Sequence, residues 1–155
     1  MTKENTTTSQ LFSRITKQLK QYFEIFGGNL IVEQSPLCWK VFFQDSLIIK
    51  IIPHINETFT VFELRHAFVQ HVTTANVIKL HMAMNRIQFN PGKNKDELVP
   101  TESTALIKRN IKILNTDKML PAKLITHIGT IVNKGSYYSE KIVDEIYSQT
   151  ICAMN

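Results

Sequence analysis

Cysteine is nearly missing from this chain: Cys38 and Cys152 are the only two. No Cys-x-x-Cys or His-x-x-x-His spacing occurs, so a tetrahedral zinc site has no ligand set. The N-terminal MTKENTTTSQ has no apolar signal core. Two cysteines in such a chain point to reduced thiols in the cytosol or nucleus, with a single Cys38–Cys152 bridge as the other option. Glycine is sparse as well. Gly27-Gly28 follows a helical pattern and precedes a strand pattern, the reverse of a phosphate-cradling loop. Gly-x-Ser-x-Gly and His-Glu-x-x-His are absent. The longest apolar run, Leu47–Ile52, is broken by Lys50 and falls far short of the roughly 20 residues of a spanning helix. No run of five like charges marks a basic tail.

The groups that remain for chemistry are scattered. His54, His81 and His127 stand alone, and His66 and His71 are spaced to lie on different faces of a predicted helix. Asp144 and Glu145 fit a solvated helix face, and Asp96 and Glu97 fall in a predicted loop, a poor place to hold a reacting group. The expectation is a non-enzymatic protein with no catalytic residue, cofactor, metal or small-molecule substrate. An enzyme built on His66 or His81 would instead require a deep pocket around that ring.

What the chain does have is apolar pattern and positive charge. Its 155 residues fit one domain with a sizeable core. Residues 1–8 read as a flexible tail and 9–155 as one domain. Ser9 is placed to cap a helix whose apolar stripe is Leu11, Phe12, Ile15, Leu19, Tyr22, Phe23 and Phe26. Strands are predicted at Leu30–Glu33, Trp39–Gln44 and Leu47–Ile52, with Asp45-Ser46 as hairpin turn and Pro53 as terminus. Thr60 and Glu63 form a capping-box pattern for a helix carrying Val61, Leu64, Phe68 and Val72. A second helix is predicted over Asn76–Ile87, then a mobile loop over 90–101. Thr104–Leu114 alternates, with Ala105, Ile107, Arg109, Ile111 and Ile113 on one face and Lys108, Asn110 and Lys112 on the other. Two helices separated by Gly135 close the chain, with Tyr137-Tyr138 between them. The fold class is α+β: a single antiparallel sheet packed against several helices.

The net charge of +5 favours anionic partners. Candidate contacts for lipid or nucleic acid are Arg14, Lys17 and Lys20 on the first helix and Lys108, Arg109 and Lys112 on the late strand.

The order WKVFF, LIIKI, TVFELRHAFVQHV, VIKLHMAMNRI, a proline-bearing loop, ALIKRNIKIL, KLITHIGTIV, NKGSYYSE and KIVDEIY resembles the matrix proteins of rhabdoviruses, over roughly Trp39 to Gln149. The resemblance implies a virion structural protein, found in the virion and in the host cytoplasm or nucleus. Such a protein self-associates, condenses a nucleocapsid and attaches it to an anionic membrane. Pro-Pro-x-Tyr and Pro-Thr/Ser-Ala-Pro budding motifs are missing, as is a lysine-rich tail, so a plant-infecting or divergent member fits best. No binding residue of the family transfers. Two other readings remain open: an intracellular RNA- or DNA-binding accessory protein using the same cations, and a protein–protein interaction domain resembling a ubiquitin-type β-grasp.

Overall fold

The structure is a computed structural model that describes residues 3–69, 73–101 and 104–154. Six strands form one antiparallel sheet: β1 (Asn29–Gln34), β2 (Leu37–Phe43), β3 (Ser46–Ile55), β4 (Phe59–Val69), β5 (Glu97–Pro100) and β6 (Ala105–Leu114). Their order is β1-β2-β3-β4-β6-β5. Helices α1 (Lys3–Ile25) and α3 (Leu120–Met154) pack on one face of this sheet, and the shorter α2 (Val77–Arg86) packs against α3. This is the α+β architecture predicted, with helices on a single side. Among the described residues no helix is long and apolar enough to cross a membrane.

Alternation builds the covered face. Trp39 and Val41 of β2, Ile49 and Ile51 of β3, Phe62 and Leu64 of β4 and Ile107 and Ile111 of β6 are buried together. They meet Leu11, Ile15, Leu19 and Phe23 of α1 and Leu120, Leu124, Ile128 and Ile131 of α3. The Trp39 ring stacks on Phe12, with centroids 4.7 Å apart, and its indole N–H donates to Thr16 Oγ1 at 2.8 Å. That bond satisfies the one polar atom of an otherwise apolar ring.

Several predicted elements differ from those observed. The segment expected as a capped helix from Thr60 is strand β4; His71 and Val72 lie outside the described residues. TVFELRHAF satisfies two periods at once, since Val61, Leu64 and Phe68 suit a helix while Thr60, Phe62, Leu64 and His66 alternate. β4 is paired along almost its whole length on both sides, to β3 and to β6. Ladder bonds and burial on this scale outweigh one local capping box. With a strand there, the hairpin-then-helix pattern of a β-grasp does not arise, and one of the helices on which the matrix-protein resemblance rests is also replaced.

The hairpin turn is Gln44-Asp45, one residue earlier than expected, and both residues have positive φ, as a two-residue type I′ turn requires. Pro53 does not end β3, which runs to Ile55. The pairing with β2 stops at Ile51, so Pro53 lies where no β2 partner needs its missing N–H.

Helix α1 starts at Lys3 rather than at Ser9, because a helix fixed by docking extends cheaply by further turns. The 90–101 stretch contains β5, and Asp96 within it is buried. The two C-terminal helices are one, continuous through Gly135. A Cβ at Gly135 would lie 2.4 Å from the His66 ring, so this glycine serves close packing rather than helix termination.

Candidate anion-binding faces

The sheet face turned away from α1 and α3 is covered by no helix among the described residues. Register assembles a row of cations on it. Lys40 of β2 lies opposite Lys50 of β3, Lys50 opposite Arg65 of β4, and Arg65 opposite Lys108 of β6; Glu97 of β5 ends the row. At roughly 4.8 Å per strand the four cations extend about 14 Å. Like charges directly opposite one another are unfavourable in a ladder, and two carboxylates in the neighbouring row offset them. Glu33 binds Lys40 at 2.7 Å, while Glu63 binds Arg65 at 2.9 Å and Lys108 at 3.2 Å. Burial alone would raise the Glu63 pKa, but the Lys108 hydrogen bond and the charges of Arg65 and Lys108 outweigh it and hold the carboxyl below its ordinary value. The hydrogen bond from Lys40 likewise lowers Glu33, and the same bond raises Lys40. Among the described residues Lys50 has no ion-pair partner. Its charge acts on Glu33 from a distance.

Apolar and aromatic groups flank the row. Phe42, Ile52, Phe59, Val61 and Leu106 are half-buried on this face, and Leu114 is exposed. Lys112 Nζ sits 4.0 Å over the Phe59 ring, a cation–π contact that presents charge and ring together. Cys38 is also on this face, buried beside Glu33, with its Sγ–H donating to Oε2 at 3.6 Å. Burial, and then Glu33, push its thiol pKa up, which keeps it protonated and unreactive. The side chain of Cys152 lies outside the described residues.

The other predicted contacts divide in two. Arg14, Lys17 and Lys20 are exposed on α1, opposite the stripe Leu11, Ile15, Leu19 and Phe23 that docks on the sheet. They therefore face away from Lys108 and Lys112, on the far side of the molecule. Arg109 belongs to neither surface. It points into the helix-covered layer, 6 % exposed, and its Nε and Nη2 donate to the two oxygens of Asp96 at 2.8 and 2.9 Å. Its Nη1 donates to Thr130 Oγ1 at 2.6 Å and to His127 Nδ1 at 3.1 Å. Lys134 reaches the same carboxylate at 2.8 Å. Its neighbours on the alternating strand, Ile107 and Ile111, are buried too, so strand parity itself removes Arg109 from solvent and with it from any lipid or nucleic-acid contact.

Among the described histidines His66 is the buried one. Its Nδ1–H donates to the Ile48 carbonyl at 2.7 Å, leaving Nε2 without a proton and facing Gly135. The ring lines a cleft with Phe68, Ser136, Ser139 and Glu140. Among the described residues none of those hydroxyls is hydrogen-bonded to it, so no nucleophile–base pair is formed there. His81 is half-buried and donates from Nε2 to the Thr101 carbonyl at 3.0 Å. Tyr138 is buried on Phe89 and accepts a hydrogen bond from the Asn90 amide, while Tyr137 is exposed under Lys141.

Sequence reasoning missed Lys40, Lys50 and Arg65. They are far apart in the chain, and only the β2–β3–β4 register brings them to one line. Reading β4 as a helix removed the strand that joins them. The available signal was the alternation of Val61, Glu63 and Arg65 against Phe62, Leu64 and His66. Comparison with known protein families, curated proteins and solved structures gave no match for this chain.

Proposed function

We propose that the protein is a non-enzymatic adaptor that joins two anionic surfaces, one on each side of its two-layer fold. The observation that carries this reading is the separation of cations onto opposite faces: the half-buried Lys40, Lys50, Arg65 and Lys108 with the exposed Lys112 on the open sheet, and the exposed Arg14, Lys17 and Lys20 on α1. The sheet face suits single-stranded nucleic acid, because it mixes cations for phosphates with phenylalanine rings for bases. The α1 face has cations and no exposed ring among them, which suits an anionic bilayer surface. There each charge contributes about 1 kcal/mol, so three give weak, reversible binding that self-association would strengthen. This is the role that resemblance to rhabdovirus matrix proteins implies: nucleocapsid on one side, membrane on the other.

The test is co-flotation. Liposomes containing phosphatidylserine should carry labelled single-stranded RNA to the top of a gradient only when the protein is present. Lys50→Glu with Arg65→Glu should abolish RNA recruitment and leave protein flotation intact. Arg14→Glu, Lys17→Glu and Lys20→Glu together should do the reverse. Loss of both activities in either variant, or binding to neither anion at physiological salt, would sink the two-sided reading. RNA binding that persists while flotation is never seen would leave the nucleic-acid accessory role in its place.

A further inference from the structure

The two edges of the sheet are treated differently. At one edge β5 is four residues long and ends in Pro100, both devices that block further strand pairing. At the other edge β1 runs for six residues, NLIVEQ, with an unbroken register to β2. It contains no lysine, arginine, proline or bulge. Its one charge, Glu33, is already neutralised by Lys40. Ile31 projects from it 43 % exposed. Among the described residues nothing pairs with the outer side of β1.

We infer that β1 is a self-association edge, and that its occupant is β1 of a second copy of this chain, antiparallel about a two-fold axis at Ile31. The register follows from side-chain parity. Leu30 and Val32 pack against the core, whereas Ile31 and Glu33 lie on the open face. Residues directly opposite in an antiparallel pair share a face, and a one-residue slip would set core-facing against open-facing side chains. Only axes through a residue keep the two sheets aligned. An axis at Ile31 sets Ile31 against its own copy, Leu30 against Val32 and Asn29 against Glu33, with no like charges opposed. An axis at Val32 would set Ile31 against the Glu33 carboxylate. Ile25 and Phe26, exposed just before the strand, add apolar surface beside the seam.

The same axis has a consequence for the cation row. Ile31 lies opposite Lys40, so the rows of the two copies fall on one line, joined through the paired isoleucines. Lys40, Lys50, Arg65 and Lys108 of each copy then extend for roughly 45 Å across a twelve-stranded sheet, on one continuous open face. The pairing itself does not rest on the adaptor reading. It would hold even if the face bound no nucleic acid.

Sedimentation velocity and disulfide trapping test it, in the full chain carrying Cys38→Ala and Cys152→Ser, since Cys38 lies directly opposite Glu33 in the same chain and would compete for a cysteine placed there. The expected mass is that of a dimer at micromolar protein. Ile31→Lys should halve it with an unchanged circular dichroism spectrum. Ile31→Cys should form a covalent dimer under mild oxidation, because directly opposed strand residues have Cα atoms about 4.5–5.5 Å apart, within disulfide reach. Asn29→Cys should not, its copy being about 13 Å away along the ladder, but a mixture of Asn29→Cys and Glu33→Cys chains should cross-link. A monomer in the unsubstituted protein overturns the inference. So does a dimer that survives Ile31→Lys, or Ile31→Cys cross-linking no faster than a cysteine at the exposed Ser13.

Discussion

A methyl group added at Gly135 would sit 2.4 Å from Cδ2 and 2.5 Å from Nε2 of His66, and 2.9 Å from Cβ of Phe68. The imidazole has little freedom to retreat, because it is buried and its Nδ1–H is bonded to Ile48. Overpacking of this kind costs about 1–3 kcal/mol. Gly129 lies on the same helix, exposed, and a methyl group there meets nothing within 4 Å. Relief of backbone entropy then dominates, with a gain of about 0.5–1 kcal/mol. Two chemically identical substitutions are therefore expected to act with opposite sign. Gly135→Ala should lower the urea midpoint and Gly129→Ala raise it, measured by far-ultraviolet circular dichroism. A gain in both would show that the His66 side of α3 is looser than its packing implies.

At the scale of elements, Asp96 ties the β5 approach to β6 and α3 through Arg109 and Lys134. Burial works against its charge, but the hydrogen bonds from Arg109 and Lys134 prevail and keep the carboxyl below the usual carboxylate range. Removing the acid leaves a guanidinium buried without a counter-charge. Asp96→Ala should therefore destabilise by about 3–5 kcal/mol, whereas Asp96→Leu combined with Arg109→Met should recover most of that loss. Urea titration of the single and double variants checks both expectations. A double variant no better than the single one would mean that the pair is not acting as a unit. The placement of Arg109 was legible in the sequence, since it alternates with Ile107 and Ile111; the same alternation argues against its use as a surface contact. Asp96 was not legible as its partner, because a loop residue carries no period to fix its direction. β4 was hidden by a local pattern compatible with two periods, and the unbroken α3 by a glycine whose purpose lies across the fold at His66. In each case the deciding contact was distant in sequence.

At the scale of the whole molecule, the titratable groups that face inward lie between the sheet and α3. His66 of β4 abuts Gly135 of α3, and His127 of α3 accepts a hydrogen bond from Arg109 of β6. Burial lowers the pKa of His66 more than its bond to Ile48 raises it. Burial, then the Arg109 charge, with Lys93 adding and Asp96 opposing, lowers that of His127. Both rings are thus held neutral in the native state. A histidine with a folded pKa below the unfolded value of about 6.5 contributes in full above that pH. Its contribution is lost as pH falls from there towards the folded value, at up to about 1.4 kcal/mol per pH unit for each group. Asp96, depressed instead, contributes above its unfolded value of about 3.9 and loses that contribution as pH falls through its lower folded pKa. Stability should accordingly decline in two stages on acidification, the histidines first. Urea midpoints between about pH 8 and pH 5 should fall in the unsubstituted protein, and each of His66→Gln and His127→Gln should flatten the slope. Because both rings lie at the seam between α3 and the sheet, amides of residues 120–148 should lose hydrogen-exchange protection before those of residues 11–23 as the pH is lowered. Simultaneous loss in the two helices would place the acid sensitivity elsewhere than the α3 seam.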